Sequence, residues 1–132
     1  MLSVGEAAKA TGVSAKMIRY YEEIGLLAPP TRGANGYRYF TDRDIHTLGF
    51  IRRARTLGFS TEQIRRLVGL WQDRERPSSE VKRIAQAHVD ELDRKIEETR
   101  AMRDTLQHLA EHCRGDERPD CPIIDELAGD RG

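Results

Sequence analysis

The fold of this 132-residue chain is decided by residues 14–40, SAKMIRYYEEIGLLAPPTRGANGYRYF. Ser14 is a predicted N-cap, and the helix that follows it ends at Gly25. The two prolines at 29 and 30 cannot continue that helix. Asn35-Gly36 is a strong tight-turn signal, and the aromatic run from Tyr37 to Phe40 favours a strand. The stretch therefore predicts a helix followed directly by a short, basic and aromatic hairpin.

A second short helix precedes this stretch. Ser3 and Glu6 have the spacing of a capping box, and Gly12 ends the helix. Two short helices joined by a glycine-containing turn are typical of a helix-turn-helix, but an ordinary αα-hairpin has the same pattern. The hairpin that follows the second helix favours the first interpretation, because a helix-turn-helix with such a hairpin is a winged helix.

Three further helices are predicted between the hairpin and the cysteine loop. Thr41 caps a third helix over 42–57, and Ser60 or Thr61 caps a fourth that ends before Pro77. The stretch from Ser79 to about Glu111 contains neither proline nor glycine. Its apolar or neutral residues recur with a heptad-like spacing at positions 81, 85, 88, 92, 96, 99, 102, 106 and 109. We expect this seam to pack on the same helix of a second chain, although the fourth helix is an alternative cover.

Charge is distributed unevenly although the net charge is zero. Residues 1–76 carry 13 Lys and Arg against 8 Asp and Glu, a net of +5, and residues 77–132 carry 9 against 14, a net of −5. A basic half favours phosphate binding, and an acidic half is a poor surface for DNA. The N-terminus has no signal segment and no apolar run approaches the ~20 residues of a membrane span, so we expect a cytoplasmic protein without a membrane partner.

Cys113 and Cys121 are the two cysteines of the chain and bracket a short loop before a predicted terminal helix that starts at Pro122. Cytoplasmic cysteines stay reduced, so metal binding or redox chemistry is favoured over a structural disulfide. Two soft thiolates suit a soft monovalent ion, whereas zinc takes about four ligands. His108 and His112 are possible extra ligands. No Cys-x-x-Cys or nucleophile–base motif indicates a thiol enzyme.

These motifs resemble the MerR family of bacterial transcription regulators. The matching segments are residues 18–26 with 35–38, residues 50–60, and the long helix. The spacing Cys113-x7-Cys121 before Pro122 is similar to the copper-efflux-regulator branch, of the CueR or HmrR type. The resemblance implies a mainly α fold with a winged helix-turn-helix at 1–76, a long antiparallel coiled-coil dimerisation helix at 77–112, and a metal-binding loop with a short helix at 113–132.

The resemblance also implies a function. A homodimer would bind double-stranded operator DNA, distort it when copper(I) is bound, and so activate transcription by RNA polymerase; silver(I) or gold(I) would also be sensed. A divalent, zinc-type sensor of the same family and a metal-independent regulator are the alternatives. We expect no enzyme activity. No Cys/His-rich tail follows the terminal helix, so no accessory metal capture is expected there.

Individual roles follow from the same resemblance. DNA contacts are expected from seven residues of the second helix, the wing and the third helix: Lys16, Arg19, Tyr21, Arg32, Tyr37, Arg38 and Arg55. Tyr20 is expected in the core. The metal ligands are Cys113 and Cys121. Ser78 stands where divalent-metal members carry a cysteine, and Lys82 of the partner chain would offset the negative charge of the site. The apolar face of the terminal helix, Ile123, Ile124 and Leu127, would transmit the signal.

Overall fold

The computed structural model describes residues 2–29, 31–33 and 36–129, and for Thr31 and Arg32 it describes the backbone alone. The elements run in the order α1 (Val4–Thr11), α2 (Ala15–Glu23), β1 (Thr31–Arg32), β2 (Arg38–Tyr39), α3 (Asp42–Thr56), α4 (Thr61–Gln72), α5 (Ser78–Glu111) and α6 (Pro122–Ala128). The predicted mainly α fold with an N-terminal helix-turn-helix is confirmed. The chain divides into two compact units, Met1–Ile84 and Ala85–Gly132.

Reciprocal side-chain caps start three of the helices. The hydroxyl of Ser3 accepts from the Glu6 amide at 3.2 Å, while the Glu6 carboxylate accepts from the Ser3 amide at 3.1 Å. Thr41 with Asp44, and Ser60 with Gln63, form the same pair of bonds. Each box satisfies amides that the first helical turn leaves without a partner. The predicted cap of the fourth helix is therefore Ser60 rather than Thr61.

The core of the first unit lies where α1, α2, α3 and α4 pack together. Its largest fully buried side chains come from α2, α3, α4 and the segments on either side of the wing: Phe40, Ile18, Leu27, Leu48, Ile51 and Ile64. Apolar residues of α2 and α3 thus fix the second helix of the helix-turn-helix against the body of the unit.

The wing is a two-stranded antiparallel hairpin in which Thr31 pairs with Tyr39 and Arg32 with Arg38. The amide of Gly33 donates to the carbonyl of Tyr37 at 3.0 Å. At its base, Leu2 and Phe40 exchange two backbone hydrogen bonds of 2.9 and 2.6 Å. Asn35 of the predicted Asn-Gly turn lies outside the described residues. The start of the chain therefore continues the sheet of the wing by one bridge.

The second unit carries most of the 34-residue helix α5. Several of its large apolar side chains are between 37% and 59% exposed in the single chain: Val89, Leu92, Ile96, Met102 and Leu106. Four of these five residues lie at predicted positions of the apolar seam, whereas Val89 lies beside the predicted position 88. Among the described residues, no helix is both long enough and apolar enough to cross a membrane.

Candidate nucleic-acid interface and metal site

The second helix of the helix-turn-helix presents two basic side chains to solvent. Lys16 and Arg19 are both exposed on α2, three residues apart and therefore on one face. Their helix is held by Ile18, which is fully buried on the opposite face. An exposed basic face on a helix that is anchored from behind can reach base edges or phosphates in a DNA groove.

The buried tyrosine of α2 is Tyr21 and not Tyr20, the reverse of the expectation from the sequence. Tyr20, expected in the core, is 42% exposed, and Tyr21 is 2% exposed. The prediction for Tyr20 is wrong, because the buried face of α2 runs through Ile18 and, one turn later, Tyr21. The hydroxyl of Tyr21 accepts a hydrogen bond of 2.8 Å from Nη1 of Arg55. Its DNA contact stays a prediction that concerns the hydroxyl alone.

Arg55 lies in the last turn of α3 and lines a groove of about 360 Å³. Ser14, the N-cap of α2, lines the same groove, as does Arg52. The Arg52 guanidinium lies only 3.0 Å from where a Cβ on Gly12 would be. Two guanidinium groups at the start of a helix suit a phosphate. Arg52 was not among the expected DNA contacts, although it belongs to the basic second half of α3.

The wing carries the other expected DNA contacts. Tyr37 is 70% exposed. The side chain of Arg32 lies outside the described residues. Nη1 of Arg38 donates to Oε2 of Glu22 on α2 at 2.8 Å, so Arg38 is held by a carboxylate rather than free in solvent.

Glu22 is a functional candidate that the sequence analysis missed. Its side chain is only 9% exposed, and its second oxygen, Oε1, is buried without a hydrogen-bond partner among the described residues. Such an unpaired buried polar atom costs about 1–3 kcal/mol. A signal was available, because Glu22 follows the buried Ile18 by four residues and therefore shares its face. Its partner, sixteen residues away in sequence, could not be identified from the pattern.

The two cysteines meet at the end of the second unit. Cys113 follows α5, Cys121 is the N-cap of α6, and their Sγ atoms lie 3.6 Å apart without a disulfide bond. The backbone N–H of Ile124, followed by the Cys113 side chain and the N–H of Ile123, lowers the pKa of the Cys121 thiol. Partial burial and the carboxylate of Asp125 act in the opposite direction. The net effect favours the thiolate, which is the form that binds metals.

The donor set fits a two-coordinate soft ion. Two metal–sulfur bonds of about 2.3 Å each span about 4.6 Å when the ion lies in line with both sulfurs, so the two thiols, 3.6 Å apart, would move about 1 Å further apart around a linear ion. Among the described residues, no group of three or more His, Cys, Asp or Glu side chains could hold a metal ion. The rings of His108 and His112 lie 4.3 Å apart, and Nδ1 of His112 donates to the carbonyl oxygen of His108 at 2.8 Å.

Ser78 and Lys82 lie in the first turns of α5, and both are exposed. They belong to the first compact unit, whereas the cysteines belong to the second. Their expected place beside the metal loop involves the partner chain and stays a prediction.

Comparison with known proteins decides the family. Residues 2–69 match the model of the MerR HTH family regulatory proteins, and residues 45–109 match the model described as MerR, DNA binding. The chain belongs to the MerR family. It is therefore a DNA-binding transcription regulator rather than an enzyme. Regulators of this family bind operator DNA as dimers and contact RNA polymerase, so the predicted partners are confirmed at the level of the family.

Three similar proteins span a range of identities. The transcriptional regulator HmrR of Sinorhizobium medicae is 60% identical over 127 residues, which are 96% of this chain and 86% of that protein. The regulator CueR of Salmonella typhimurium is 45% identical over 128 residues, 97% of this chain and 93% of that protein. The crystal structure of PbrR691 from Ralstonia metallidurans CH34, in complex with lead(II), is 30% identical with a TM-score of 0.84 and covers 96% of this chain and 99% of that one.

Proposed function

We propose that this MerR-family protein is a metal-responsive activator that senses copper(I), and also silver(I) or gold(I), through Cys113 and Cys121. The observation that carries the proposal is the 3.6 Å separation of the two sulfur atoms in the loop between α5 and α6. The identities to HmrR and CueR, at 60% and 45%, support it, because the sequence resemblance is to the branch that contains regulators of those names. The protein would act in the cytoplasm, where its operator DNA lies.

The charge of the site determines what else must be near it. Two thiolates and one monovalent ion leave a net charge of −1, which requires compensation when it is partly buried. The amides of Ile124 and Ile123 supply part of it by donating to Cys121. We propose that Lys82 of the partner chain supplies the rest, and that Ser78 leaves the site with two thiolates instead of three.

The DNA-binding half of the proposal rests on the basic surface of the first unit. Lys16 and Arg19 would meet base edges or phosphates, and Arg55 with the Tyr21 hydroxyl would meet phosphates. The proposed domains are 1–76 for DNA binding, 77–112 for dimerisation and 113–132 for metal binding. The exposed apolar seam of α5 supports dimerisation, because a second copy of the helix would cover it.

A divalent-metal sensor is the second candidate. The likeness to PbrR691, whose structure holds lead(II), favours it. In this chain such an ion would need ligands beyond the two cysteines, and His108 or His112 would supply them. The alternative predicts activation by zinc at buffered concentrations too low for adventitious binding.

The deciding experiment is in vitro transcription from a promoter with a long spacer, with copper(I) and zinc(II) supplied at buffered free concentrations. We expect activation by copper(I) alone, and its loss in Cys113→Ser and in Cys121→Ser with DNA binding retained. Activation of both variants by copper(I) would contradict the proposal. Full activation in the presence of a strong thiol chelator would instead indicate a metal-independent regulator.

A gain-of-function variant tests the role of Ser78. Ser78→Cys adds a third thiolate and should make the protein respond to zinc(II). Ser79→Cys, at the adjacent exposed position of α5, is the matched control and should leave the response to copper(I) and zinc(II) unchanged. An equal zinc response in the two variants would remove Ser78 from the site.

A further inference from the structure

The ion pair between Glu22 and Arg38 joins the DNA-facing helix α2 to the strand β2 of the wing. The Nη1–Oε2 distance is 2.8 Å, and the two residues are sixteen positions apart. The arginine side chain is 44% exposed, whereas the glutamate side chain is 9% exposed. The carboxylate is therefore the buried and fixed partner, and the guanidinium is the partner that faces outward.

The position of Arg38 gives the pair a role in binding. With Arg19 and Tyr37, Arg38 lines an open groove of about 720 Å³ between α2, the wing and the start of α1, where Glu6 also lines it. The guanidinium has five N–H donors, so it can keep its bond to Glu22 and still donate to a phosphate or a base. If it left Glu22, a buried carboxylate would remain without a counter-charge, which is strongly unfavourable.

The consequence concerns the kind of contact that Arg38 makes. A basic side chain raises the affinity for any DNA sequence because its charge releases counterions from the phosphates. The charge of Arg38 is already balanced by Glu22, so the pair as a whole is neutral. Arg38 then offers hydrogen bonds of fixed direction with little general attraction for DNA.

We propose that Glu22 is a specificity-determining residue, because it holds Arg38 in one position and cancels its charge. Arg38 of the wing then contributes hydrogen bonds of fixed direction to the DNA rather than non-specific affinity. The inference rests on the DNA-binding function proposed above, together with the DNA contact expected of Arg38. It accounts for a buried carboxylate that keeps one oxygen, Oε1, unpaired among the described residues. A neutral side chain would be sufficient to hold the wing against α2, so the negative charge of the Glu22 carboxylate is not required for packing alone.

The test measures how binding to a non-operator duplex depends on salt, with the metal-free, full-length protein. In Glu22→Gln the charge of Arg38 is no longer cancelled, and each wing gains about one phosphate neutralisation, which steepens the log–log salt slope by about 0.9. For a dimer with two wings on DNA the slope should therefore steepen by about 1.8. Between about 50 and 200 mM salt, the variant would then lose about 12-fold more affinity than the wild type. The ratio of operator to non-operator affinity should fall.

Two variants serve as controls. Glu23→Gln makes the same change of net charge at the adjacent exposed position and should leave the slope within error of the wild type. The double variant Glu22→Gln/Arg38→Gln replaces one neutral pair by another and should also keep the wild-type slope. Thermal unfolding of each variant verifies that it is folded.

Three results would overturn the proposal. They are an unchanged slope in Glu22→Gln, an equal increase in Glu23→Gln, and a slope about 1.8 shallower in the double variant. If Glu22→Gln does not fold, the comparison of the double variant with the wild type decides alone. A wild type that fails to bind operator DNA would instead refute the proposed function, so the two failures are distinguishable.

Discussion

Replacing Tyr21 by Phe tests how the DNA-facing surface is supported from inside. The ring of Tyr21 is 2% exposed, so Phe keeps its packing and removes only the hydroxyl that accepts from Arg55 at 2.8 Å. A hydrogen bond to a charged group contributes about 1.5–3 kcal/mol. Because Arg55 is exposed and can bind water instead, we expect a lower value, about 1 kcal/mol. For a unit of this size that corresponds to a fall of about 4–8 °C in the thermal midpoint.

The same substitution should weaken binding to the operator. Without the Tyr21 hydroxyl the Arg55 guanidinium loses its fixed position. A loss of about 1 kcal/mol per protomer, or about 2 kcal/mol for the dimer on its operator, corresponds to about 30-fold in affinity. The salt dependence should not change, because the charge of Arg55 remains. Thermal unfolding and fluorescence-anisotropy titration, at one protein concentration for all variants, measure the two effects.

Tyr20→Phe is the matched control, since it removes the same hydroxyl from the adjacent residue of the same helix. Tyr20 is 42% exposed, so the substitution should change stability by less than about 0.5 kcal/mol. The assignment of the buried tyrosine would be refuted if Tyr20→Phe cost more stability than Tyr21→Phe. It would also be refuted if Tyr21→Phe left both the thermal midpoint and the operator affinity unchanged.

Three further predictions concern a turn, the metal loop and its helix. Gly12→Ala should lower the free energy of unfolding by about 1–2 kcal/mol, because the φ of +75° at Gly12 is costly for other residues. Gly69→Ala is the control and should not lower it, because the added Cβ meets open space. Equal thermal midpoints of the two variants would contradict the prediction. Alkylation of Cys121 should reach half its maximal rate at a lower pH in the folded chain than in urea, because the Ile124 amide lowers the pKa of the thiol. The Cys121 thiolate therefore stabilises the fold at pH values above the unfolded pKa, and this stabilisation is lost as the pH falls through the folded pKa. Coincident alkylation profiles in the two states would oppose the assignment. Replacing Ile123 and Ile124 together by Ala should preserve metal and DNA binding but abolish activation in transcription assays, and unchanged induction would exclude α6 as the signalling element.

Local chemistry made the helices predictable from the sequence. The spacing of Ser3 and Glu6 predicts a capping box, and the structure contains it. α1, α2 and α3 end within a residue of the positions expected from Gly12, Gly25 and Gly58, because these glycines adopt the left-handed backbone. α4 ends at Gln72, five residues before Pro77, so the proline marks only the far limit of that helix. Cap and breaker signals involve neighbours in sequence, so a single chain contains all the information that they need.

Contacts between distant elements were not predictable in the same way. The rotation of α2 that buries Tyr21 and exposes Tyr20 differs from the alternative by one residue, about 100° around the helix. Because both residues are tyrosines, their identity does not show which of them is buried. The spacing from the buried Ile18 does, since Tyr21 follows it by three residues and shares its face of the helix. The pairing of Glu22 with Arg38 depends on how the wing lies against α2, which is a property of tertiary packing. The 3.6 Å approach of the cysteines likewise depends on the conformation of the loop between them.

The bridge between Leu2 and Phe40 has a consequence for dynamics. Strands of two residues are too short to be stable as an isolated hairpin, so the wing must take its order from the elements beside it. The amide of Phe40, bonded to Leu2 at the base of the wing, should exchange with deuterium as slowly as amides of the core. The amide of Gly33, nearer the tip, should exchange faster, so the ratio of these two rates reports how firmly the wing is seated. Measured with and without metal, that ratio would show whether the sensor loop alters the wing before any DNA is bound.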